Sequence, residues 1–161
     1  MIELNDKRIA EYLHRSYTAV DGLWFMKVEE KYGFDEALEV DNEVFKVLPR
    51  IQARVLKSIG NKETGMEALF ECFTAKLTLD GFTFKAKRIK HNSGFKIIID
   101  RCPWYNLMVK SGRTNLSEKV GTRICNTEYS VWACEFDDNI SFEMQCQICT
   151  GSKFCILQFS H

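Results

Sequence analysis

At Gly81 the spacing of apolar residues changes from about four to two, so helices must precede this point and strands must begin after it. Residues 5–31 predict one long helix, with Ile9, Leu13, Ser16/Tyr17, Val20, Trp24 and Met26/Val28 near helical spacing, Asn5 as its cap and Gly33 as its stop. A second helix is expected from Phe34, with Asp35, Glu36 and Glu39 near its start and Arg50, Arg54 and Lys57 near its end. Pro49 should kink or break it, and Ile51, Val55 and Ile59 carry an apolar stripe on to Gly60. Residues 64–79 predict a third helix ending at Asp80-Gly81.

Beyond Gly81, Phe82, Phe84 and Ala86 alternate with Thr83, Lys85 and Lys87, and Phe95, Ile97 and Ile99 follow across a His91–Gly94 turn, which predicts an antiparallel hairpin. Pro103 should open a short helix holding Trp104, Leu107 and Met108, with Cys102 at its N-terminal edge. A further helix is expected over residues 126–136, with Cys125 just before it. Residues 140–146 alternate as a half-buried strand, and Thr150-Gly151-Ser152 turns into a last strand, 153–159, with Cys155, Leu157 and Phe159 on one face. The expectation is a single α+β domain, residues 1–80 forming a helical layer and 81–161 a mostly antiparallel sheet that carries the cysteines.

The 22 Lys and Arg balance the 22 Asp and Glu, so no net field favours nucleic acid as a partner. The basic run Lys85, Lys87, Arg88, Lys90 and His91 reads as a solvated strand face. No segment approaches the roughly 18–20 apolar residues of a membrane span, and the N-terminus has no apolar signal core. A cytoplasmic protein is expected, its seven cysteines reduced and without a membrane partner.

Those cysteines hold the densest chemistry. Cys146, Cys149 and Cys155 form C-x-x-C-x5-C, a half-site for a soft cation, and Cys102 and Cys125 are the donors that could complete it. The expected metal set therefore draws four ligands from Cys102, Cys125, Cys146, Cys149 and Cys155, for zinc or alternatively an iron–sulfur centre. Cys134 is a further candidate donor, and Cys72, between Leu69 and Phe73, reads as packing. Cys102 has a second reading as a catalytic nucleophile, made acidic by a helix N-terminus and by Arg101, although none of His14, His91 and His161 is placed beside it by the sequence.

Gly22 inside a helical pattern suggests close packing, a kink or a passing ligand. Asp21 and Trp24 flank it, and with Trp104 and Trp132 they form the expected ligand-binding set for a small molecule; Phe84 and Phe95 are further candidates for an aromatic pocket. Tyr12, Leu23 and Met26 fall outside the main stripe of the first helix, which predicts a homodimer through the N-terminal helices.

The stretch HRSYTAVDGLWFMKVEEKYGFDEAL at residues 14–38, the RCPW segment, Cys125 and the terminal C-x-x-C-x5-C together resemble an uncharacterised family of small bacterial and archaeal cytosolic proteins. That family is similar to L-2-amino-thiazoline-4-carboxylic acid hydrolase-like proteins, whose R-C-P element, later lone Cys and Gly-x-x-x-Cys element correspond to Arg101-Cys102-Pro103, Cys125 and Gly151 to Cys155. A weaker similarity is to 4-vinyl reductase domains, which implies helices on an antiparallel sheet around an apolar ligand pocket. Thr150-Gly151-Ser152 stands where the nearer family has a Pro-containing segment. The two functions expected are a zinc-holding domain that binds or senses a small ligand, and a hydrolase of a cyclic amide or thiazoline-like compound using Cys102 or a metal-bound water.

Overall fold

The computed structural model describes residues 2–89 and 93–161. Its elements follow the change of period at Gly81. Helix α1 (Asp6–Tyr32) is capped by Asn5, whose side chain accepts from the Arg8 amide at 3.0 Å, and it ends at Gly33 in a positive-φ conformation. Helix α2 (Phe34–Phe45) is separated from α3 (Leu48–Gly60) by the break that Pro49 imposes; the proline sits in the first turn of α3, where its missing N–H costs nothing. Helix α4 (Met66–Leu79) precedes strand β1 (Thr83–Arg88), strand β2 (Gly94–Arg101) and helix α5 (Pro103–Lys110). Helix α6 (Ser117–Phe136), strand β3 (Ser141–Cys146), a 3-10 turn (Ile148–Thr150) and strand β4 (Cys155–Ser160) complete the chain.

The strands form one antiparallel sheet in the order β1-β2-β4-β3, and with the helices they make an α+β fold. The expected hairpin is present as β1 and β2, while Lys90, His91 and Asn92, where its turn was placed, lie outside the described residues. Two compact units divide the chain, one ending at Asp41 and the other running from Asn42 to His161, and the sheet belongs to the second.

In the second unit α4 packs by β1, α6 packs by β3, and α3 packs on both helices. The sheet face they cover supplies Phe95, Ile97, Ile99, Leu157 and Phe159, and the helices supply Leu69, Phe73, Leu77, Trp132 and Phe136, all fully buried. Phe73 makes edge contacts with Tyr129, Trp132 and Phe159 at 5.0–5.6 Å, joining both helices to the sheet through one ring. Edge strand β1 contributes little: Ala86, expected on the apolar face, is exposed, as are Lys85 and Lys87.

At the end of the two central strands, Gly94 has φ +155°, and a Cβ there would lie 2.1 Å from the Phe159 carbonyl oxygen. Gly94→Ala should therefore separate β2 from β4 at Ser160 and lower the unfolding free energy by about 2 kcal/mol or more. Urea unfolding checks this; an unchanged midpoint would contradict the close approach.

The largest departure from expectation is α6. It starts at Ser117, nine residues before the expected Asn126, and Cys125 lies inside it rather than ahead of it. Gly121 and the β-branched Val120, Thr122 and Ile124 depress helix propensity over this stretch, but Ser117, Ile124, Glu128, Tyr129, Trp132, Ala133 and Phe136 form a buried stripe that outweighs it. Burial of Glu128, a charged residue, hides that stripe in the sequence.

Candidate thiol site

Cys102 sits where β2 ends and α5 begins. Pro103 fixes the first helical turn, and the Tyr105 amide donates to Cys102 Sγ at 3.4 Å, so the sulfur caps the helix. Burial nonetheless pushes the Cys102 thiol up, outweighing the Tyr105 and Trp104 amides that favour its thiolate. The direction is opposite to the expected acidic Cys102, because desolvation exceeds the N-terminal field.

Cys125 faces the same region from the middle of α6. Burial raises its thiol well above the usual range, and Glu128, Cys102, Cys155 and Cys149 raise it further. Cys155, at the start of β4, is pushed up to about 12 by burial, eased by the Ile148 amide that donates to its Sγ at 3.2 Å and raised again by Cys102, Cys149 and Cys146. Cys149 lies on the 3-10 turn against Gly121, where an added Cβ would stand 2.7 Å from its Sγ. Gln147 fastens that turn to α6 by donating to the Gly121 carbonyl oxygen at 3.1 Å. Gly121 thus admits Cys149 beside the helix.

Cys102, Cys125, Cys149 and Cys155 share one electrostatic neighbourhood. Cys146 borders this group, where it helps to raise the Cys155 thiol. A register shift between Met144 and Cys146 pairs it with Ile156 instead of Cys155, and its thiol donates to the Phe154 carbonyl oxygen at 3.3 Å. Among the described residues, no three His, Cys, Asp or Glu side chains are placed to hold one metal ion. Cys134 is exposed, and Cys72 is buried in the core as expected.

Beside the thiols lies a group of charges that the sequence reading missed. Lys76 on α4 is 3% exposed, and its Nζ stands 2.5 Å from Glu128 Oε1 and 3.1 Å from Asp80 Oδ2. The rings of Phe82 and Tyr129 also receive the ammonium, at 5.6 and 5.4 Å. Burial alone would lower the Lys76 pKa, but the two carboxylates more than offset it, and the ammonium stays charged. Burial holds the Glu128 carboxyl above the usual carboxylate range despite Lys76. Both groups act electrostatically on Cys102, Lys76 favouring the thiolate and Glu128 opposing it. The i, i+4 spacing of Lys76 and Asp80 and the i, i+3 spacing of Cys125 and Glu128 were the available signals.

The expected ligand set is not brought together as one pocket of the second unit. Trp132 is 0% exposed in the core, stacked on Phe136, and is a packing residue; Phe95 is likewise core, stacked on Phe159. Trp24 is 69% exposed on α1 in the first unit, which also holds Asp21, and Trp104 is half-buried on α5 beside Cys102. Phe84 is half-buried on β1.

Comparison with known proteins adds a family without adding a reaction. A family model described as a family of unknown function (DUF6125) matches residues 5–160. No curated protein and no solved structure matches the chain.

Proposed function

We propose, for a chain that belongs to the DUF6125 family of unknown function, that the site is a small-molecule hydrolase centre in which Cys102 is the nucleophile and Glu128 its base. The observation that carries this reading is the Lys76–Glu128 pair, buried and within electrostatic reach of Cys102, because it supplies a candidate base. A thiol raised by burial is inert at rest. A carboxylate that is also raised by burial is better matched to accept its proton, and Lys76 holds that carboxylate in place.

The substrate class follows from the chemistry and from the resemblance to thiazoline-carboxylate hydrolase-like proteins: a cyclic amide or thiazoline-like compound. For a cyclic amide, the Cys102 proton passes to Glu128, sulfur bonds to the carbonyl carbon, and the ring C–N bond breaks with the nitrogen taking the proton from Glu128. Water then cleaves the thioester, releasing a carboxylic acid and restoring the thiol. The N–H groups at the start of α5 favour negative charge beside the attacking sulfur. Turnover of a panel of cyclic amides and thiazolines by the wild-type protein and by Cys102→Ala tests this; substrate loss at equal rates would sink it.

A zinc-thiolate reading keeps one supporting observation: Cys102, Cys149 and Cys155 all act electrostatically on Cys125, which puts these thiols in one neighbourhood. Elemental analysis of protein purified without chelator separates the two readings. The hydrolase reading expects less than about a tenth of an equivalent of zinc, whereas a closed structural site expects about one.

A further inference from the structure

Lys76 is one ammonium held between two carboxylates. Glu128 reaches it from α6 at 2.5 Å and Asp80 from the end of its own helix at 3.1 Å, and both Lys76 and Glu128 are buried. Two negative charges against one positive leave an excess charge in a dry place, which is unfavourable unless a carboxylate takes up a proton. Glu128 and Lys76 have parts in the reaction proposed above; Asp80 has none.

Helix stability does not account for Asp80. It is the C-cap of α4, where the helix field disfavours an anion, and it lies four residues after its lysine, the weaker order for such a pair. Its effect falls on Glu128 instead. Both carboxylates touch one nitrogen, so they lie within the roughly 6 Å over which like charges oppose each other's ionisation. Burial, and after it Asp80, raises the Glu128 carboxyl against the lowering by Lys76. Arg54 and Lys57 of α3 are taken up by Glu135, about two turns further along α6. Cys102, Cys125 and Tyr129, raised by burial and further by Glu128, are neutral where a carboxyl titrates.

We propose that Asp80 is a positioning residue for the reaction: it shares the Lys76 ammonium with Glu128, limits how far that cation neutralises the Glu128 carboxylate, and so keeps Glu128 a base able to take the Cys102 proton. This role rests on the reading of Glu128 as the base. The rings of Phe82 and Tyr129 also hold Lys76, so loss of the Asp80 charge leaves the ammonium in place and delivers it more fully to Glu128. Asp80→Asn should therefore make Glu128 more acidic by about one pH unit or more, and weaker as a base.

The test begins without substrate. Carbon NMR of protein labelled at the glutamate carboxyl carbons, with Glu128 assigned by its loss in Glu128→Gln, should show the Glu128 midpoint falling by that amount in Asp80→Asn. In Asp80→Glu, which keeps the charge, the midpoint should stay near wild type; circular dichroism checks that each variant is folded. Wild-type protein labelled at aspartate needs no variant: the Asp80 carboxyl signal should show an inflection at the Glu128 midpoint. A midpoint unmoved in Asp80→Asn, or an Asp80 signal indifferent to Glu128, would overturn the proposal, and an Asp80 that only braces α4 would give that result. Turnover then tests the reading beneath it, since the acidic limb of the kcat/KM profile should move to lower pH together with the midpoint. A midpoint that moves while the limb stays would overturn Glu128 as the base, and with it the part of Asp80 in the reaction.

Discussion

Replacing Lys76 with methionine should cost about 3–5 kcal/mol of unfolding free energy, because it leaves the buried Glu128 without the cation that makes its burial tolerable and the neighbouring Asp80 without its partner. The loss has a pH signature. Glu128 in the variant has a folded pKa above its unfolded value, so its contribution is present at low pH and is lost as pH rises through the folded pKa. Denaturant unfolding should accordingly show the variant nearest to wild type around pH 4 to 5 and furthest from it at pH 7 to 8. Adding Glu128→Gln to Lys76→Met should restore a large part of the loss, since removing both partners takes away the stranded charge. A pH-independent deficit of under 1 kcal/mol would mean that the group is solvated.

Glu128→Gln alone should reduce turnover by about 100- to 10,000-fold at neutral pH while the protein stays folded, the range associated with loss of a general base. The amide keeps a hydrogen-bond acceptor for Lys76 but cannot take the Cys102 proton. Kinetics across pH distinguish this from a packing defect: raising the pH supplies hydroxide to remove the proton, so the ratio of wild-type to variant rates should shrink toward pH 10. A constant ratio at every pH would point to damaged geometry instead.

The period change at Gly81, the Pro49 break and the Asn5 and Gly33 boundaries of α1 were all legible in the sequence, because local chemistry decides each of them. Pro103 likewise announced α5 and placed Cys102 at its cap. What could not be read was decided by tertiary burial. The first half of α6 looks like a poor helix until Ile124 and Glu128 are known to face inward, and the wrong start displaced Cys125 from mid-helix to a loop. The bulge that pairs Cys146 with Ile156 instead of Cys155 has no marker in SFEMQC. Cys102 misled most: a sulfur at a helix N-terminus reads as acidic, yet desolvation wins, and only packing discloses how dry the position is. Lys76 and Glu128 each look like an ordinary helix-surface charge until α4 and α6 are laid side by side.

The central claim is that Cys102 forms the covalent bond, and acid-quenched peptide mass spectrometry during turnover of a cyclic amide or thiazoline substrate addresses it directly. The account predicts an acyl adduct on the peptide containing Cys102, absent from Cys102→Ala and formed more slowly in Glu128→Gln. An adduct on Cys125, Cys149 or Cys155 instead, or full turnover by Cys102→Ala, would contradict it.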